Sequence, residues 1–216
     1  MKKGICLFLA VTVILSLHSM AFASDKIDAK SIIEKKIEIA EKYDYGEELS
    51  EEDAEFIKTY ADIVYNDKIT RSVGLVESEI DSLFRTDMTD SSSGVSIIFT
   101  GSLVGKINPA SISDNNYGIK SGRSIAYGTN KSRLISQKIV AECTCYGIAG
   151  SGGLIKVYDG SINSGTQTTE VVTMNKTQNY SAVMPTYATV SAYVDVVAKT
   201  ASGNGTSSFR VLAELM

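Results

Sequence analysis

The chain has 216 residues, with 21 Lys and Arg against 25 Asp and Glu, a single His and no Trp, for a net charge of −4. The one histidine, His18, sits in an N-terminal stretch that reads as an export signal. A mature chain without it has no imidazole, which excludes Ser-His-Asp and Cys-His catalysis, His-ligated metals and imidazole pH sensing.

The signal comes first in chain order. Lys2 and Lys3 precede an apolar run over 5–17, and Ala21-Phe22-Ala23 places small residues at a cleavage site. The run is shorter than the roughly 20 residues of a membrane span. The expectation is therefore cleavage after Ala23, a mature start at Ser24, a secreted protein and no membrane span thereafter. Without Lys2 and Lys3, 19 basic residues face 25 acidic ones. Residues 24–90 carry 19 acids and 9 bases; residues 91–216 carry 6 acids and 10 bases. No Lys/Arg cluster accumulates, so no nucleic-acid partner is expected. The acidic half is either a solvated helical face or a layer docked on the mildly basic half.

Residues 24–90 read as helical. Ile27, Ile33, Ile37, Ala40 and Tyr43 lie at helical spacing, and Ser31 with Glu34 fits a capping box. Gly46 breaks this helix. Ser50, followed by Glu51, Glu52 and Asp53, starts a second one with the stripe Ala54, Ile57, Ala61 and Val64, ended by Asn66 and Asp67. A third helix is expected from 72 to 84 through Val73, Val76, Ile80 and Leu83. Short amphipathic helices must bury their stripes on something else.

A Ser/Thr/Asp-rich boundary over 86–94 precedes a change of period from 3.6 to 2. Strands are expected at about 95–107, 133–146, 154–158, 168–174, 186–198 and 207–215, with 108–123 as loop and turns at Asp159-Gly160 and Gly203-Asn204-Gly205. In the strand over 133–146, Ile135, Ile139, Ala141, Cys143 and Cys145 face one way. In the next long strand Thr189, Ser191, Tyr193 and Asp195 form a polar side. The fold class is α+β: a signal peptide (1–23), an acidic helical segment of two or three helices (24–90) and an antiparallel β-sandwich (91–216). The long strand over 136–146, Tyr158-Asp159-Gly160 and the closing hairpin over 187–215 resemble the small exported β-sandwich domains of Gram-positive bacteria whose function is unknown. The missing tryptophan departs from many of them, and the resemblance carries no functional residue.

Five places invite chemistry. Cys143 and Cys145 are a possible thiol pair: buried reduced thiols, a strained redox pair or an intermolecular bridge. Residues two apart on a regular strand lie about 6.6 Å apart, too far for a relaxed disulfide. Asp195 and Glu214 offer a carboxylate pair for glycoside hydrolysis; alternatively one of them pairs with Arg210 on an exposed face. Asp114-Asn115-Asn116 offers oxygen ligands without EF-hand spacing, so an Asx turn fits better. Gly147, Gly150, Gly152 and Gly153 lack a P-loop ending. No metal and no cofactor is expected. Tyrosines on the polar sheet side, Tyr187 and Tyr193 with Asp195, form the expected binding surface. The resulting expectation is a non-enzymatic binding or interaction protein acting outside the cell or at the envelope, with an extracellular protein or glycan as partner. The alternatives are a helical pro-segment or dimerisation element, and a carboxylate-dependent glycosidase.

Overall fold

A computed structural model describes residues 28–65, 78–150 and 152–216. The expected signal peptide, the mature start at Ser24, Ile27 and the first part of the third expected helix lie outside the described residues. Among the described residues two helices, α1 (Ala29–Lys42) and α2 (Glu51–Tyr60), precede nine strands: β1 (Ile63–Val64), β2 (Ser78–Thr89), β3 (Ser96–Ile107), β4 (Asn115–Tyr127), β5 (Leu134–Ile148), β6 (Leu154–Asn163), β7 (Val171–Tyr180), β8 (Tyr187–Lys199) and β9 (Thr206–Leu212).

The helices start where side chains can satisfy their first N–H groups. Asp28, rather than Ser31, caps α1, accepting from the Ser31 N–H at 2.7 Å. Ser50 caps α2 through the Asp53 N–H, as the acidic first turn suggests. Helix α2 stops at Tyr60, ahead of the expected end at Asn66. The β-branched pair Ile63–Val64 instead forms β1 against Ala188 and Tyr187 of β8. Just before it, the Asp62 carboxylate accepts the Val190 N–H at 2.9 Å.

The third expected helix is a strand over its described part. In β2, Ile80, Phe84 and Met88 face the core, while Glu79, Asp81, Arg85 and Asp87 face out. This is period-2 order, and it wins because all twelve residues of β2 pair with β3. The sandwich therefore starts before the expected boundary at residue 91. A second correction concerns 108–123. Its Asn and Gly residues read as loop, yet β4 begins at Asn115. A Cβ on Gly118 would stand 2.1 Å from the Lys176 carbonyl oxygen, so this glycine marks a close strand approach rather than a turn. Likewise Asp159-Gly160 lies inside β6 rather than at a turn, with the Tyr158 hydroxyl occupying the space a side chain at 160 would need.

All strand pairs are antiparallel. One sheet has the order β1-β8-β5-β6, with β9 pairing β8 beyond β1; the other has the order β2-β3-β4-β7. The β8–β9 hairpin turns through Gly203 at φ 76°, as its Gly-Asn-Gly signal predicts. Between the sheets Phe84, Phe99, Leu103, Ile139, Val190 and Val194 form the main core. The Phe84 and Phe99 rings sit 4.6 Å apart and tilted. Fully burying each such side chain contributes about 1.5–3 kcal/mol. No helix among the described residues is long and apolar enough to cross a membrane.

Candidate functional site

The helices lie on the outer face of the β8–β5–β6 sheet, and two apolar clusters hold them there. Ile39, Tyr43 and Ile57 pack with Tyr146 and Leu154, while Ile37 packs with Val140, Tyr193 and Leu212. Buried charges add orientation. Lys36 and Asp62 form a 2.6 Å ion pair, each side chain 8% exposed. The Lys156 ammonium of β6 donates to the Ala40 and Tyr43 carbonyl oxygens at 2.7 and 3.0 Å, a cation at the negative end of α1. Across the helical hairpin, Asp53 accepts from Lys42 at 2.6 Å, Tyr43 at 2.7 Å and Ser50 at 3.1 Å. Burial opposes ionisation of Asp53, but these bonds outweigh it and hold its carboxyl at about 2.

This docking covers the hydroxyl-rich side expected to be the binding surface. Thr144, Thr189 and Ser191 are buried, and Tyr193 is only 4% exposed. The Tyr193 hydroxyl donates to the Glu142 carboxylate, and the Arg210 guanidinium stacks 3.7 Å from the Tyr193 ring centre. Burial pushes the Glu142 carboxyl above its ordinary range, opposed by the Tyr193 hydrogen bond. Asp195 accepts from Arg210 at 3.0 Å and pairs with Lys138 at 3.5 Å. Glu214 is exposed beyond β9, where its backbone binds Arg85 and Thr86 of β2. Of the three expected binding residues, Tyr193 is therefore covered and Asp195 is engaged in ion pairs. Tyr187 alone reaches an open cleft.

That cleft, of about 470 Å³, lies at one end of the sandwich, where the chain leaves β1 and three loops meet. Tyr65, Pro109, Ala110, Ile148, Met184 and Tyr187 line it together with Thr186. The Ala182 N–H donates to the Ile112 carbonyl, tying two of the loops together. Ten large apolar side chains are exposed among the described residues, and two of them, Ile148 and Met184, line this cleft. Scattered exposed apolar residues are ordinary, but a contiguous group marks a contact surface. Apart from Tyr187, these residues were not legible as a site. They sit in or beside connections, where no periodicity points to a shared face.

The thiols occupy the opposite environment. Cys143 and Cys145 are free and buried between the sheets, with their sulfurs 3.9 Å apart. Tyr180 approaches Cys145 at 3.1 Å and stacks on Tyr158 with ring centres 4.0 Å apart. Burial raises the Cys143 thiol well above its ordinary range. A neutral buried thiol is a poor nucleophile, so the geometry matches two reduced core thiols. Asn115 staples its loop, accepting from the Asn108 N–H at 2.8 Å and donating to the Ile112 carbonyl at 2.9 Å, an Asx role rather than a ligand role. The Gly-rich run closes the β5–β6 hairpin, with Gly152 at φ 87°. No group of three or more His, Cys, Asp or Glu among the described residues is placed to hold a metal ion. Comparison with known proteins finds no matching family model, curated relative or solved structure.

Proposed function

We propose that the chain is an exported, non-enzymatic binding or interaction module acting outside the cell or at its envelope, with the loop end of the sandwich as its contact surface. The observation that carries this reading is the grouping of Ile148, Met184 and Tyr187 around an open cleft while the rest of the tyrosine-bearing face is packed under helices. The pairing of Asp195 with Arg210 and Lys138 supports it too, because a hydrolytic role would need that carboxylate available to a substrate. The helices act as a retained third layer in this reading. Ile39 of α1 and Ile57 of α2 are themselves fully buried, packed with Tyr146 and Leu154 of the sheet, which suits a permanent layer better than a removable pro-segment.

The test is recovery of bound molecules from culture medium and envelope fractions on immobilised wild-type chain and on Tyr187→Ala. A protein or glycan retained by the wild type and lost by the variant is expected. Turnover of a glycoside substrate that disappears in Asp195→Ala would overturn the reading. Mass spectrometry of the secreted chain is expected to find α1 and α2 still attached.

A further inference from the structure

We propose that Cys143 and Cys145 are a redox-sensitive site, closed by a peroxide into a disulfide within β5, with the stacked rings of Tyr158 and Tyr180 gating the oxidant's approach. Both thiols are free and lie on the core-facing side of β5. Their sulfurs stand 3.9 Å apart, although residues two apart on a strand are separated by about 6.6 Å along it. The two side chains therefore lean towards each other. A Cα separation of about 6.6 Å falls at the upper edge of what a disulfide spans, about 6.8 Å. A regular strand accepts the bond only by shortening locally. The pairing of β5 with β6 already shifts register between Cys145 and Tyr146, so the ladder is interrupted where that shortening is needed.

The pair rests reduced because the core shields it: Cys143 is 1% exposed and Cys145 not at all. The way in runs between two sheet edges. Strand β6 ends the order of one sheet and β7 that of the other, and edge elements open more readily than central ones. Tyr158 of β6 and Tyr180 of β7 meet across this seam with ring centres 4.0 Å apart. The Tyr180 hydroxyl stands 3.1 Å from the Cys145 sulfur and 3.8 Å from that of Cys143. Tyr158 is half-buried and lies over Gly160, the β6 residue paired with Cys143. Swinging the Tyr158 ring off this stack is the motion that opens a path to the sulfurs.

The chemistry balances with the peroxide as its one co-reactant. The first sulfur, as thiolate, attacks a peroxide oxygen; the O–O bond breaks, the released hydroxide takes up the thiol proton as water, and a sulfenic acid remains. The second sulfur attacks the sulfenic sulfur; the S–O bond breaks and the hydroxyl leaves with the second thiol proton as another water. The two thiols give up two electrons, and these reduce one peroxide to two waters. Burial keeps the Cys143 thiol protonated, so the first attack waits for the seam to open. Closure then strains β5, which lies between β8 and β6. A strained disulfide is readily reduced, so the change is reversible.

The experiment exposes the purified full chain to hydrogen peroxide, quenches it at intervals, alkylates it in denaturant and weighs the tryptic peptide over 139–156, which holds both cysteines. In the wild type that peptide is expected to become about 2 Da lighter and to take no alkylating reagent. This result decides the site whatever the variants do. Closure is expected to be about tenfold or more faster in Tyr158→Ala, and to keep the wild-type rate in Tyr158→Phe, which retains the ring. In Cys145→Ser the remaining thiol is expected to gain oxygen instead. The oxidised chain is expected to melt a few degrees below the reduced one, with dithiothreitol restoring it. Oxygen gain at the wild-type sulfurs without closure, a bridge between two copies of the peptide, or no oxidation would each overturn the site. Equal rates in Tyr158→Ala and wild type would overturn the gate, and an oxidised chain as stable as the reduced one would overturn the strain.

Discussion

The outer face of the β8–β5 sheet and the loop end of the sandwich are both built from tyrosine, threonine and aliphatic side chains, yet the first is closed and the second open. Tyr193 lies beneath α1 with its hydroxyl on Glu142 and its ring under Arg210. Tyr187, six residues earlier on the same strand and side, lines the cleft. The difference is one of neighbours rather than composition. Where α1 and α2 dock, hydroxyl-bearing side chains become interior and must find partners. Where the chain turns away through β1, the same residue types face water. A polar strand face is thus a statement about what a residue can tolerate, and the packing of a distant segment decides whether it meets solvent.

Substitutions that release the helical layer are the sharpest way to break this contrast, and the largest effect is expected at Asp62. Asp62→Ala removes the partner of buried Lys36 and the acceptor of the Val190 N–H. A loss of about 4 kcal/mol in urea unfolding is expected. Ile57→Ala, at a fully buried anchor of α2, is expected to cost about 3 kcal/mol in the same assay. Acid acts on the Asp53 hub. Its folded carboxyl titrates at about 2 against an ordinary 3.8, so its contribution is complete above pH 4 and vanishes as the pH falls towards 2. The gap between wild type and Asp53→Asn is therefore expected to shrink by about 2 kcal/mol between pH 6 and pH 2. Ile148→Ser, at the open end, is expected to change stability by no more than about 0.5 kcal/mol. A loss there comparable to that at Ile57 would erase the distinction between the regions.

Much of the sandwich is legible from alternation. Ile139, Ala141, Cys143 and Cys145 share a buried face because period 2 survives burial on one side. Ser50 and Gly203 mark a helix start and a hairpin because capping and positive φ are local demands. The misreadings share one cause, which is that the deciding partner is remote in sequence. Ile80 and Leu83 fit a helix until β3 supplies a ladder along the whole of β2. Gly118 reads as part of a loop until the Lys176 backbone is brought against it. The binding face is misread in the same way, since Thr144, Ser191 and Tyr193 look exposed until α1 is placed on them. The cleft is assembled from loops whose adjacency only the fold creates, so Tyr187 alone gives it a trace in the sequence.

Hydroxyl-radical footprinting of the folded full chain tests the closed-and-open arrangement most directly. Met184, at 70% exposure, and Tyr45, at 73%, are expected to react at rates normal for their residue types in water, while Tyr193 stays protected until the chain unfolds. Tyr193 reacting in the native chain as readily as Tyr45 would contradict the account, because the helices would then not be seated on the sheet.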